Sequence, residues 1–324
     1  MVLCKLASSA AIHRGLSLPT ARTLSPTARS CASSPTPRPR RSALYLPASN
    51  ARHLEKARGL AADVLLLDCE DAVAPESKPL ARAQAAAALA DRRFGAKEVV
   101  VRVNSLSSAW GKADALAVAP HADAVLLPKV EAPEQVARLA ALLARACAGV
   151  RDAPPRVWCM IETPLGVCRA ESLAAMAAVD CLVAGTSDLA AELRCDGAWD
   201  ERAALLPSLS LIVLGARAHG KAVLDGVHLD IRDQSGFVRS CKQGRAMGFD
   251  GKTLISPATI ADANAAFSPS EAEVAHARRV VAAFAQAAEA GAALAVLDGR
   301  LVEELHVREA RRLLALAHAV QAAG

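Results

Sequence analysis

Eight short apolar runs recur along the chain, at residues 42–47, 63–68, 98–103, 124–128, 157–162, 181–185, 222–225 and 252–256. Near-continuous hydrophobic blocks of this length read as strands buried on both faces. Segments with helical periodicity, such as 82–89 and 133–146, lie between them. Regular alternation of strand and helix dictates a parallel sheet. Eight such units in roughly 215 residues predict an α/β fold, a (β/α)8 TIM barrel near the lower end of its size range. A doubly wound open sheet is the alternative, although no GxGxxG turn follows the first strand. After residue 267 the alternation stops. Ser270 with Glu271 and Glu273 predicts the start of a long helix reaching about residue 290. A break at Gly291 and Asp298-Gly299 then precedes a last helix over roughly 302–321. The expected organisation is a barrel over 41–267 and a C-terminal helical extension over 268–324, which completes the domain and contacts a neighbouring subunit.

Composition bears on three points. The 53% hydrophobic content with only 3% aromatic residues suits an aliphatic core. Nine cysteines occur without a CxxC pair, which argues against a zinc site or a disulfide framework. The net charge of +5 arises in residues 1–41, which hold seven basic residues and no acid, leaving about −2 for the rest. The basic balance therefore belongs to a tail and not to a nucleic-acid-binding face. That tail, residues 1–40, is rich in Ser, Ala, Thr and Pro, and reads as a transit peptide and disordered linker. A mitochondrial location is expected, with a plastid as the alternative. No apolar run is long enough to span a membrane.

The ends of the runs carry the chemistry. The second ends Asp68-Cys69-Glu70-Asp71, the third Arg102-Val103-Asn104, the fourth Pro128-Lys129, the fifth Glu162-Thr163-Pro164 and the sixth Gly185-Thr186-Ser187-Asp188. Active sites of such barrels lie at the C-terminal ends of the strands. Pro164 ends the fifth strand, so Glu162 stands where a buried strand stops, and charge there is costly unless paired. Oxygen donors without clustered His or Cys favour Mg²⁺ over zinc. Glu162 and Asp188, on neighbouring units, are the expected metal ligands. Asp68 and Glu70 are expected to reach the metal's waters from across the mouth. Arg102 supplies a fixed cation for an oxygen that becomes negative, as carbon–carbon cleavage through an enolate requires. Lys129 is the one candidate for a Schiff base, but it lies beyond a proline at the strand end.

Six ordered motifs carry a resemblance: Arg41-Ser42-Ala43-Leu44-Tyr45-Leu46-Pro47, Leu67-Asp68-Cys69-Glu70-Asp71-Ala72-Val73, Val101-Arg102-Val103-Asn104, Leu127-Pro128-Lys129-Val130-Glu131, Ile161-Glu162-Thr163-Pro164 and Met247-Gly248-Phe249-Asp250-Gly251-Lys252. The chain resembles the citrate lyase β-subunit-like proteins of the HpcH/HpaI aldolase superfamily, and within them most the citramalyl-CoA lyases. The resemblance implies a trimeric barrel, Mg²⁺ on Glu162 and Asp188, and Arg102 on the reacting oxygen. It implies a CoA thioester across the mouth, with substrate or CoA contacts from Arg41, Lys78, Arg82, Lys129, Thr163 and Pro164. It also implies a C-terminal lid from a neighbouring subunit whose acid, here Glu303, protonates an enolate. The expected reaction converts citramalyl-CoA to acetyl-CoA and pyruvate. Condensation of acetyl-CoA with glyoxylate, or malyl-CoA cleavage, is the alternative reaction. Three positions depart from the pattern: Glu303 replaces Asp, Ser256 replaces His, and Ala48 replaces Gly. They motivate an alternative of another class, a catalytically weak CoA- or metal-binding paralogue.

Overall fold

The computed structural model describes residues 38–196 and 201–323. The transit-peptide expectation for residues 1–37 lies outside the described residues. Eight parallel strands close into a barrel in chain order: β1 (Ser42–Pro47), β2 (Val64–Asp68), β3 (Glu98–Arg102), β4 (Ala124–Leu127), β5 (Arg156–Ile161), β6 (Val179–Ala184), β7 (Ala222–Asp225) and β8 (Gly251–Leu254). β1 closes on β8 through Ser42 opposite Lys252.

Side chains alternate between two cores, as the strand period requires. Leu66, Val100, Leu126, Trp158, Met160, Val183 and Leu224 fill the barrel's interior. Leu65, Leu67, Val99, Val101, Val125, Val157 and Cys159 point outward and form the larger core with the helices. The barrel is thus a packed column whose polar residues are displaced to its ends.

The lower end is closed by arginines. The Arg40 guanidinium stacks over the Trp158 ring at 4.8 Å and bonds Glu98 and Asp180. Arg38 lies within 3.9 Å of Glu98. Residues 38–40, expected to belong to the linker, are therefore part of the fold.

The C-terminal extension begins at the helix Glu271–Glu289, capped by Ser270 and Glu273 in a reciprocal box. The glycine-marked break that follows is a β-hairpin of β9 (Ala295–Leu297) and β10 (Arg300–Val302), followed by the helix Glu304–Ala323. Asp298 and Gly299 both have positive φ, 51° and 75°, as a tight two-residue hairpin turn demands. The extension has its own small apolar core of Ala277, Val280, Ala295, Val302, Val307 and Ala310. No helix among the described residues is long and apolar enough to cross a membrane.

Candidate active site

The upper mouth gathers charge from the ends of five strands, β2 to β6. Arg102, the last residue of β3, is fixed by Asp68, the last of β2. Its Nε and Nη2 donate to the two Asp68 oxygens at 2.7 and 2.6 Å. Nη1 reaches Asp71 at 3.1 Å and lies 3.1 Å from Glu70. The guanidinium rests on the Tyr45 ring, 4.9 Å from its centre. Burial opposes the charge of Arg102, but the bonds to Asp68 outweigh it and hold the group above its usual range.

Glu162 follows β5 and is almost fully buried. Its Oε1 accepts the Lys129 backbone N–H at 2.8 Å. Lys129 sits in the left-handed region at φ 50°, so its main chain turns toward Glu162 while its side chain crosses the mouth. The Lys129 ammonium lies 3.1 Å from Asp188 Oδ2 and 3.6 Å from Glu70 Oε1. Asp188 stands in the first turn of the helix Thr186–Leu193 and is partly exposed.

Two of these carboxyls are poised near neutrality. Burial pushes Glu162 up to about 7, against the Lys129 N–H and charge that lower it. Burial likewise pushes Glu70 up to about 7; Arg102 lowers it and Asp71 raises it. Glu70 Oε2 is buried with no hydrogen-bond partner, because its approach to Arg102 lacks hydrogen-bond geometry. Among the described residues no three metal-ligating side chains stand together. A magnesium site does not need three, since that ion is commonly held by one or two carboxylates and fills its other positions with water and substrate. Among the described residues, Glu70, Asp71, Glu162 and Asp188 outnumber the two cations that approach them, Arg102 and Lys129, so the mouth has an excess of hard oxygen donors and negative charge. With the orphaned Glu70 oxygen, this donor set fits a divalent cation.

Residues 41–257, the whole barrel and this mouth, match the description HpcH/HpaI aldolase/citrate lyase. The chain belongs to that family. A (3S)-malyl-CoA thioesterase of Cereibacter sphaeroides (strain KD131 / KCTC 12085) is 46% identical over 88% of this chain and 96% of the relative. The mitochondrial citramalyl-CoA lyase of Homo sapiens is 31% identical, over 87% of each chain. Identity is thus higher to the thioesterase than to the lyase whose motifs the sequence resembles. The crystal structure of the protein CitE from Mycobacterium tuberculosis, in complex with magnesium, acetoacetate and coenzyme A, superposes with a TM-score of 0.69. It is 32% identical and covers 86% of this chain and 97% of its own.

In this member of the HpcH/HpaI family, Arg102, Glu70, Lys129, Glu162 and Asp188 converge as expected. The other expected residues are held by bonds of their own. Asp68 does not reach across it. Its carboxylate is buried and accepts from Arg102 and from the N–H groups of Glu70 and Ala72 at 2.9 and 3.0 Å, so it is the anchor of Arg102. Arg41 precedes β1 and lies at the opposite end of the barrel, held by Asp63 at 2.7 and 2.8 Å and by Ser268. Parallel strands place every residue before a strand away from the mouth, so Arg41 cannot meet a substrate there. Lys78 is buried, and its ammonium donates to the carbonyls of Cys69 and Glu70 at 3.1 and 2.6 Å. It holds the loop after β2 and is not presented to CoA phosphates. Arg82 donates to the buried Asp114 at 2.7 Å. Thr163 caps the short helix Pro164–Cys168 by accepting from the Gly166 N–H at 3.0 Å, and Pro164 opens that helix.

The Glu303 N–H donates to His306 Nδ1, and among the described residues no side-chain hydrogen bond ties Glu303 to the mouth of its own barrel. Ala48 is buried, and its N–H donates to the Asp68 carbonyl at 2.9 Å. Ser256 caps a single turn at Pro257–Thr259. Tyr45 and Gly185 were not among the expected site residues. Tyr45 had a signal, as the one tyrosine in the chain and an inward position of β1.

Proposed function

We propose that this protein is a Mg²⁺-dependent enzyme that takes a CoA thioester with a hydroxy-acid end, of the malyl-CoA or citramalyl-CoA type. It cleaves the carbon–carbon bond beside the hydroxyl, and citramalyl-CoA yields acetyl-CoA and pyruvate. The observation that carries the reading is the Arg102 guanidinium, fixed by Asp68 and aimed at the acidic mouth. Both named relatives, the malyl-CoA thioesterase and the citramalyl-CoA lyase, support the substrate class.

Glu162 and Asp188 would hold the ion, as the magnesium-containing relative supports. When bound, magnesium supplies Lewis acidity at the chelated hydroxy acid and offsets the charge of the mouth. Arg102 then stabilises the oxygen that gains negative charge, with no reorganisation at the moment of reaction. Glu70, buried and with one oxygen free of hydrogen bonds, accepts the hydroxyl proton. Glu303 from a neighbouring copy protonates the released enolate carbon. The separate core of the arm, and the exposed Val296, Leu301 and Leu305 beside Glu303, support an arm that reaches another subunit of a trimer. The acid-free tail supports an organellar location, and the lyase relative is named as mitochondrial.

A second reading is hydrolysis of the thioester itself, favoured by the 46% identity to the malyl-CoA thioesterase. Glu70 would then activate water. One experiment separates them. The protein is incubated with citramalyl-CoA and with malyl-CoA, in Mg²⁺ and in chelator, and products are identified by mass. Acetyl-CoA with a keto or aldehyde acid supports the lyase. Free CoA with the intact hydroxy dicarboxylate supports hydrolysis. Both thioesters surviving Mg²⁺ would overturn both readings.

A further inference from the structure

Lys129 touches both proposed metal ligands through different groups. Its backbone N–H binds Glu162 at 2.8 Å and its ammonium binds Asp188 at 3.1 Å. The same ammonium has a second acceptor, Glu70, at 3.6 Å. An ordinary half-exposed ion pair contributes little, because holding two long side chains in one geometry costs entropy and solvent screens the charges. Lys129 differs in that its backbone is held in a left-handed conformation that non-glycine residues avoid, and the Glu162 bond sits at that turn. The main chain therefore fixes the root of the side chain beside one carboxylate, and four methylenes carry the charge to the other.

A divalent ion shared by Glu162 and Asp188 must enter the space that this ammonium neutralises. Both cannot bind the same Asp188 oxygen without strong mutual repulsion at a few Å. Glu70 Oε1 offers the displaced ammonium an acceptor already within reach, while Oε2 of the same carboxylate lies 3.1 Å from Arg102. Resting on the metal reading above, we propose that Lys129 is a resident counter-cation that exchanges with the divalent ion. It ties Asp188 to the mouth in the metal-free protein and moves to Glu70 when the ion binds. The carboxylates stay paired in both states, so the empty site neither repels itself open nor binds the ion with full affinity. Lys129 is in this sense a positioning residue for the metal and a limit on its affinity.

The test uses the full-length protein and the metal alone. Mg²⁺ binding is measured by calorimetry without substrate, and Tm is measured in chelator and in saturating Mg²⁺, for wild type, Lys129→Met, Lys129→Gln and Lys129→Arg. Exchange requires both neutral variants to bind Mg²⁺ more tightly, by about tenfold for loss of one nearby charge. It also requires their Tm to fall in chelator and the gain on adding Mg²⁺ to widen. Lys129→Arg should stay near wild type. A residue with a merely structural role would lower Tm and metal affinity together. Neutral variants that bind Mg²⁺ as wild type does, or more weakly, overturn the exchange while leaving the metal site standing. Absence of Mg²⁺ binding by wild type overturns the metal site, and the exchange with it.

Discussion

Gly185 and Glu162 are packed so closely that a β-carbon on residue 185 would stand 2.4 Å from the Glu162 β-carbon and 2.7 Å from its Oε2. The Met160 methyl would be 3.0 Å away. Only the absence of a side chain after β6 lets the carboxylate of β5 lie where it does. Gly185→Ala should therefore displace Glu162 without touching its chemistry. Overpacking of this kind costs about 1–3 kcal/mol. The expected outcome is a lower Tm and a loss of Mg²⁺ affinity, read by thermal unfolding and a metal titration. A variant that binds Mg²⁺ normally would show that Glu162 is not a ligand or that its position is not critical.

The Arg102–Asp68 fork is the second test. Removing one member of a buried pair strands the other charge, at a cost of about 3–5 kcal/mol. Arg102→Lys keeps the charge but loses the two-pronged geometry and the stacking on Tyr45. Turnover should fall about a hundredfold or more, the scale of losing one aimed charge at an active site. Asp68→Asn should reduce turnover through Arg102, and the double variant should be little worse than Arg102→Lys alone. Additive losses would mean that Asp68 acts on substrate directly.

Glu303 separates chemistry from metal binding. Glu303→Ala should abolish turnover and leave the Mg²⁺ isotherm unchanged, because among the described residues no hydrogen bond ties Glu303 to the mouth of its own barrel. Mixing Glu303→Ala subunits with Arg102→Met subunits should restore part of the activity, since one copy then supplies the acid and another the mouth. Normal turnover by Glu303→Ala would remove it from the mechanism.

The eight strands were legible because a buried parallel strand writes itself as an unbroken apolar run, and the observed limits differ from the expected ones by at most two residues. The polarity of the strands also identified the mouth, and with it Arg102, Glu162 and Asp188. Arg41 shows what motif likeness misses: it stands before β1, and the same polarity rule assigns it to the far end. Lys78 and Asp68 show a different gap. Sequence spacing does not tell whether a charge faces a cavity or satisfies nearby carbonyls and amides. The β9–β10 hairpin was hidden because each strand has three residues, too few for a periodic signal, although Asp298-Gly299 marked its turn.

The attachment of the arm should respond to acid through Glu273. Its carboxylate accepts from the Ser270 N–H and hydroxyl at 2.7 and 2.8 Å, and from Arg245 at 2.8 and 2.9 Å. The Ser270 N–H first, against some burial, and then Arg245 hold its pKa down at about 2. A pKa lowered on folding gives stability that is present above the unfolded value, about 4.3 for a glutamate, and is lost as pH falls toward the folded one. The relevant window therefore runs from about pH 4.5 down to about 2. The side chain is 42% exposed, so salt should weaken the effect. Glu273→Gln should lower Tm at pH 6, and its deficit should shrink steadily as pH is taken from 5 toward 3. The deficit should also be smaller at high ionic strength. A deficit that is constant across this range would show that the cap, and not the charge, holds the arm.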